Sequence, residues 1–162
     1  MRQSNLVPNL KLAIGGGCQP SDNAFVALQK KRLRDADLLD EAVFQPNLNR
    51  EAKLDFYRGL TVLSVPAVYG EAFGLYVVEA MASGVPVVMP DDASFPELIE
   101  KTGAGVLYKK DSITALVNSL GQILLDRKLL SKYAAAGRRA AEQTYNIEQM
   151  AKSFAAHLAK LT

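Results

Sequence analysis

Tryptophan is absent from the 162 residues, and cysteine and histidine occur once each. A structural zinc site takes four Cys or His ligands, so that count excludes a Cys/His zinc cluster. The single histidine, His157, stands near the end of the sequence, and a surface side chain is its plain reading. The single cysteine, Cys18, has no partner for an internal disulfide, which points to a reducing compartment. No apolar run is long enough to span a bilayer. No charged-then-apolar leader opens the sequence as given, so the expected location is the cytoplasm. An excess of one charge is missing too. Nineteen basic residues face 17 acidic ones, for a net charge of +2. That balance carries no electrostatic footprint for nucleic acid. There is no internal repeat and no low-complexity segment.

What the sequence does have is apolar bulk. Hydrophobic residues make up 49% of it, enough for a sizeable core, and the length fits one domain. The densest patterning lies between Leu60 and Pro90. Leu60–Val65 is a short apolar run with β-branched residues, which suits a buried strand. Pro66 and Gly70 then break any regular element. From Gly74 onward Leu75, Val78, Met81 and Ala82 recur at helical spacing, and Gly84 and Pro86 stop that helix. Val85, Val87 and Val88 suit a second buried strand. Strand, loop, helix and strand make the βαβ unit of a parallel sheet.

The loop of this unit carries the candidate chemistry. Ala72–Phe73–Gly74–Leu75 falls at a helix start, where backbone N–H groups lack internal partners and the helix dipole is positive. Such an end receives phosphate, and a glycine lets an anion approach the backbone closely. Glu71 stands just before the cradle, and Glu79 stands eight positions after Glu71. Carboxylates repel phosphate but accept hydrogen bonds, so the pair suits hydroxyls of a sugar or ribose flanking the phosphates.

Glu71–Ala72–Phe73–Gly74–Leu75, followed by Glu79–Ala80–Met81–Ala82–Ser83–Gly84–Val85–Pro86–Val87–Val88, resembles the Glu-x7-Glu signature of retaining glycosyltransferases with two Rossmann-like domains. Pro96–Glu97–Leu98 and Gly103–Ala104–Gly105–Val106–Leu107 also fall where that family has them. The resemblance covers most of the chain, but only the second, donor-binding half of such an enzyme. It implies an α/β, Rossmann-like parallel sheet flanked by helices. It further implies a nucleoside-diphosphate sugar, such as a UDP or GDP sugar, as donor substrate, with no metal cofactor. Carried over from the family, Glu71 is the catalytic contact to the donor sugar. Phe73, Gly74 and Leu75 form the substrate cradle, with the Gly74 and Leu75 amides on the diphosphate. Glu79 takes the ribose hydroxyls. Glu97 matches the family pattern, with a ligand role and a packing or capping role both open.

Leu10–Ile14 suits a strand, and Gly15–Gly16–Gly17 a tight turn or a close ligand approach. The turn is no Walker loop, because the Gly-Lys-Ser/Thr element is missing. Ser21 and Asp22 suit a helix start. The run Lys30–Lys31–Arg32–Arg34 suits either an anionic partner or a solvated helix face, and acidic residues follow it at once. Ala42–Phe44 suits a strand. Asn47–Gly59 suits a loop and then a helix, with Leu54, Phe56 and Tyr57 inward. Asp91 and Asp92 are adjacent, not spaced as an Asp-x-Asp metal site. Tyr69 reads as a surface aromatic or a ligand-stacking one. Helices are expected from Phe95, from Asp111 or Ser112 to Leu125, over about 128–144, and from Ile147 to Leu161.

Set against the family, the sequence starts after a first strand, a first helix and a basic pair that neutralises the diphosphate. The expectation is therefore a truncated domain whose second and fourth strands keep open edges. Another copy of the chain is one way to cover them. The acceptor-binding half is also outside the sequence, which points to an N-terminal domain or a second chain as partner. A full enzyme would sit in the cytoplasm or at the inner membrane surface. A non-catalytic subunit of a split transferase, and a sugar-nucleotide epimerase of the same fold, are the rival readings.

Overall fold

The computed structural model describes residues 7–160. Most of the lead-in expected over Met1–Pro8, and Leu161 of the last helical face, lie outside them. The chain divides into two compact units, Met1–Gly59 and Leu60–Thr162.

In the first unit, β1 (Leu12–Gly16) runs parallel to β2 (Ala42–Pro46), with Ile14 opposite Phe44. The helix α1 (Asn23–Asp35) connects them, preceded by a 3-10 turn at Pro20–Asp22. The Asp22 carboxylate accepts from Gln19 N–H at 2.8 Å and fixes that entry. The basic run on α1 is exposed, and Lys31 pairs with Asp35 one turn on at 2.5 Å, as a solvated face does. A second α-helix, α2 (Arg50–Arg58), starts where the Asn49 side chain accepts from Ala52 N–H. Tyr57 is buried, but Leu54 is exposed and not inward as the sequence predicts. Leu54 and Phe56 stand roughly 160° apart around a helix, so the two cannot share a face. Of the three glycines expected to form a turn, Gly15 and Gly16 belong to β1; a Cβ on Gly15 would stand 3.0 Å from the Phe56 ring, while Gly16 and Gly17 have open space around them.

The second unit holds a three-stranded parallel sheet in the order β3 (Leu63–Ser64), β4 (Val87–Pro90), β5 (Gly105–Tyr108). Each crossover is a helix, α3 (Leu75–Ala82) and α4 (Phe95–Thr102). Then follow α5 (Ile113–Leu125), α6 (Arg127–Gln143) and α7 (Ile147–Leu158). Side chains open each of the three: Ser112 accepts from Ala115 N–H, Asp126 from Lys128 and Leu129, and Asn146 from Gln149. Every residue of β4 is buried, so both faces of this middle strand are covered. Val88 packs with Tyr108 and Ile123, and Leu116, Leu120 and Tyr133 close around them. The apolar face of α7, by contrast, is exposed at Ile147, Met150, Phe154 and Leu158.

The strand expected over Leu60–Val65 shortens to Leu63–Ser64. Pro66 carries no N–H and ends the ladder. Among the described residues β1 pairs only with β2 and β3 only with β4. Those are the open edges predicted from the sequence.

Gly105 leaves no room for a side chain beside β4. A Cβ there would lie 1.8 Å from the Val87 carbonyl oxygen. Gly105→Ala should therefore force the two strands apart and lower stability by about 3 kcal/mol, the upper part of the usual overpacking range. The urea midpoint of the variant, compared with that of the parent chain, measures it.

Candidate functional site at the start of α3

The loop after β3 reaches α3 through Gly74, whose φ of 81° and ψ of 58° are left-handed. Few residues other than glycine take that conformation without strain. Bare Cα space is needed as well: a Cβ on Gly74 would stand 3.2 Å from Phe95 Cε1 and 3.5 Å from Glu71 Cγ. Behind the helix start, Val77, Ala80 and Met81 are fully buried. Leu75 faces the other way and is 68% exposed. The cradle thus opens outward while its back is fixed in the core.

Val77 N–H turns back to the Gly74 carbonyl at 2.9 Å. The N–H groups of Gly74 and Leu75 have no acceptor among the described residues, as the first positions of a helix leave them. Phe73 N–H is taken: the Glu71 carboxylate accepts it through Oε1 at 3.3 Å. Glu71 is also tied through its main chain, its carbonyl accepting from Ser94 N–H at 3.3 Å. Glu79 lies one turn into α3, four positions after Leu75 and so on the same helical face. Phe73, half exposed, sets its ring 6.3 Å from that of Tyr145 at the end of α6.

Two neighbours, Tyr76 and Lys110, escaped the sequence reading, and a third, Ser94, stands in the polar loop after β4. Tyr76, in the first turn of α3, is partly buried and lies near Glu71. Burial first, then the charge of Glu71, push its hydroxyl up to about 12. Lys110, just past β5, pairs with Asp92 at 2.7 Å, and that hydrogen bond raises the ammonium above its ordinary value. Ser94 Oγ is buried without a hydrogen-bond partner among the described atoms. The pair Asp92–Lys110 spans different elements, so no spacing rule reveals it. All of this lies at the carboxyl ends of β3, β4 and β5, the edge where open parallel sheets take ligands.

The other candidates lie apart from this cluster in character. Tyr69 is 85% exposed. Glu97 is exposed and bonded to Lys101 one turn on, which holds its carboxyl below the usual range. His157 is exposed on α7, its Nδ1 2.7 Å from the Ser153 carbonyl. Among the described residues no group of three His, Cys, Asp or Glu side chains is placed to hold a metal ion. No helix of the described residues is long and apolar enough to cross a membrane.

Parallel strands alternating with helices, with an open helix start at their carboxyl edge, define the C-terminal, Rossmann-like half of a two-domain transferase fold. Residues 1–140 match the family model of the glycosyl transferases group 1, and the chain belongs to that family. It is 32% identical over 154 residues to the lipopolysaccharide core biosynthesis mannosyltransferase LpsB of Rhizobium meliloti, covering 92% of this chain and 42% of LpsB. Its fold matches that of Anabaena HepE, solved in complex with UDP and glucose, with a TM-score of 0.86 at 18% identity, over 98% of this chain and 42% of HepE. It also matches the C-terminal domain of the group 1 glycosyl transferase LpcC from Francisella tularensis, with a TM-score of 0.71 at 22% identity, over 90% and 91% of the two chains. The chain therefore spans less than half the length of LpsB and HepE.

Gly74→Ala tests the cradle's geometry. With φ at 81° and Phe95 in the way, the variant should lose more than about 1 kcal/mol of stability. Denaturant unfolding of parent and variant gives the value.

Proposed function

We propose that the chain is the donor-binding part of a retaining glycosyltransferase, which takes a nucleoside-diphosphate sugar and hands the sugar to an acceptor. The observation that carries this reading is the open start of α3. Gly74 and Leu75 present two N–H groups without a protein acceptor, at the positive end of a helix whose far side is buried. A departing diphosphate gains negative charge, and preorganised donors at that point favour the transition state over the ground state. Glu71 and Glu79 flank the cradle and accept hydrogen bonds, so they serve the sugar and ribose hydroxyls. HepE has been solved with UDP and glucose, and LpsB is a mannosyltransferase, both in keeping with a sugar nucleotide as donor.

Transfer also needs an acceptor site, which in the family lies between two domains. The 162-residue chain is expected to bind donor without turning it over. Joining the chain to an acceptor-binding half, in one polypeptide or as a second chain, separates catalysis from binding alone.

Calorimetry with UDP, GDP, UDP-glucose and GDP-mannose tests donor binding. One base series should bind, and chelation by EDTA should leave that binding unchanged. Glu79→Ala should weaken the nucleotide roughly tenfold, the loss of one hydrogen bond to a charged group. In a chain joined to an acceptor-binding half, Glu71→Gln should lower kcat, and undiminished transfer would remove Glu71 from the mechanism.

A further inference from the structure

Tyr145 stands in the turn between α6 and α7, far along the sequence from the cradle, yet it meets the loop that carries Glu71. The course of α6 explains how. Gly137 lies so close to α3 that an added Cβ would stand 3.2 Å from Met81 Cγ. One residue on, Arg138 donates to the Ala82 carbonyl at the end of α3. The chain then runs back along α3, and the stretch from Arg138 to Tyr145 matches that from Ala82 back to Leu75, roughly 10 Å of helix in each. Tyr145 thus arrives at the start of α3, where its N–H donates to the Ala140 carbonyl at 3.0 Å and ties it to the end of α6. Its ring lies 6.3 Å from that of Phe73, centroid to centroid, with the planes tilted by 49°. Aromatic rings that attract each other sit about 4.5–7 Å apart, offset or tilted.

Phe73 needs such a partner. Its side chain is 46% exposed, and its N–H is the group that donates to Glu71 Oε1 at 3.3 Å. The residues on either side are tied by their main chain: the Glu71 carbonyl accepts from Ser94 N–H, and the Gly74 carbonyl from Val77 N–H. We propose that Tyr145 is a positioning residue, whose ring backs the Phe73 ring and so keeps the Phe73 N–H on the Glu71 carboxylate, leaving the other lone pairs of that carboxylate to the donor sugar. A carboxylate offers about four acceptor sites, and the one Phe73 N–H fills leaves about three. The cradle amides do not depend on this contact. Their direction is set by the left-handed Gly74 and by Phe95 behind it. The effect of Tyr145 should therefore fall on the sugar and not on the diphosphate. It is an effect of the ring, because the contact is between rings, and the Tyr145 hydroxyl has no part in it.

This inference rests on the donor-binding reading, and the test tells the two apart. Calorimetry would compare the parent chain with Tyr145→Leu and Tyr145→Phe, using a nucleoside diphosphate alone and the matching nucleotide sugar. Leucine keeps apolar bulk without a ring, and phenylalanine keeps the ring. Tyr145→Leu should bind the diphosphate within about twofold of the parent, yet lose roughly threefold to tenfold in affinity for the nucleotide sugar, the worth of an aromatic pair. Tyr145→Phe should restore the parent's affinity for both. Phe73→Leu, on the exposed side of the same contact, should show the same split between the two ligands, and it decides the matter should Tyr145→Leu fail to fold. Adding Tyr145→Leu to Glu71→Ala should cost nothing further, since the ring acts through that carboxylate. Equal weakening of both ligands would mark Tyr145 as merely structural, and no weakening of either would mark it as idle. A loss in Tyr145→Phe as large as in Tyr145→Leu, or additive losses in the double variant, would also overturn the proposal. If the parent chain binds the diphosphate and its nucleotide sugar equally, Glu71 makes no sugar contact and the positioning role falls alone. If the parent binds neither, the donor-binding reading falls and takes this inference with it. Unfolding midpoints of all variants, measured alongside, separate a binding loss from a folding loss.

Discussion

One backbone conformation governs the second unit. Gly74 turns the chain left-handed between the loop and α3, and it does so in a space with no room for a Cβ. The neighbour that fills this space most tightly is Phe95, 1% exposed at the start of α4. A buried ring cannot yield without disturbing the core around it. The direction in which α3 departs, and so the direction in which its first amides point, is set by core packing and not by the loop.

The helix itself is short, eight residues, and would not persist alone. Its stability comes from tertiary contact. Val77, Ala80 and Met81 have no exposed surface, and burying side chains of that size is worth about 1.5–3 kcal/mol for the larger ones. At the far end Arg138 of α6 donates to the Ala82 carbonyl at 2.6 Å. A cation there satisfies an orphan carbonyl and complements the negative end of the dipole. The two ends of α3 are thus treated differently. The C-terminal end is closed by a guanidinium, while the N-terminal end keeps donors open toward the surface.

Periodicity and punctuation made this unit legible from the residues alone. Pro66 and Gly70 mark a loop, Gly84 and Pro86 a stop, and the helix and β4 fall between and after them within a residue or two. Cap chemistry worked equally well for α5, where Ser112 was one of two candidates and is the residue that caps. Less legible was anything that depends on which side of an element meets a partner. Leu54 is apolar in a helical pattern and yet exposed, and the apolar stripe of α7 is exposed along its described length. A pattern records that a residue is fit for burial, not that something covers it. A pair such as Asp92 with Lys110 is a product of the turn geometry and of the sheet register. Neither quantity is written in local spacing.

The loop after β4 holds a strained residue beside the proposed site. Ala93 holds a φ of 52°, a left-handed conformation that an alanine takes only at a cost of about 1–2 kcal/mol. Such strain persists where the surroundings over-determine it. Here Asp92 on one side is pinned by Lys110 from the end of β5, and Ser94 on the other donates its N–H to the Glu71 carbonyl. With both flanks tied down, the residue between them has no relaxed alternative. The strain therefore sits where the β4 loop is locked against the loop that carries Glu71, and it joins three strand ends of the second unit into one rigid rim. In the proposed site, a carboxylate mounted on that rim would meet a ligand with little reorganisation, the condition under which hydrogen bonds discriminate best.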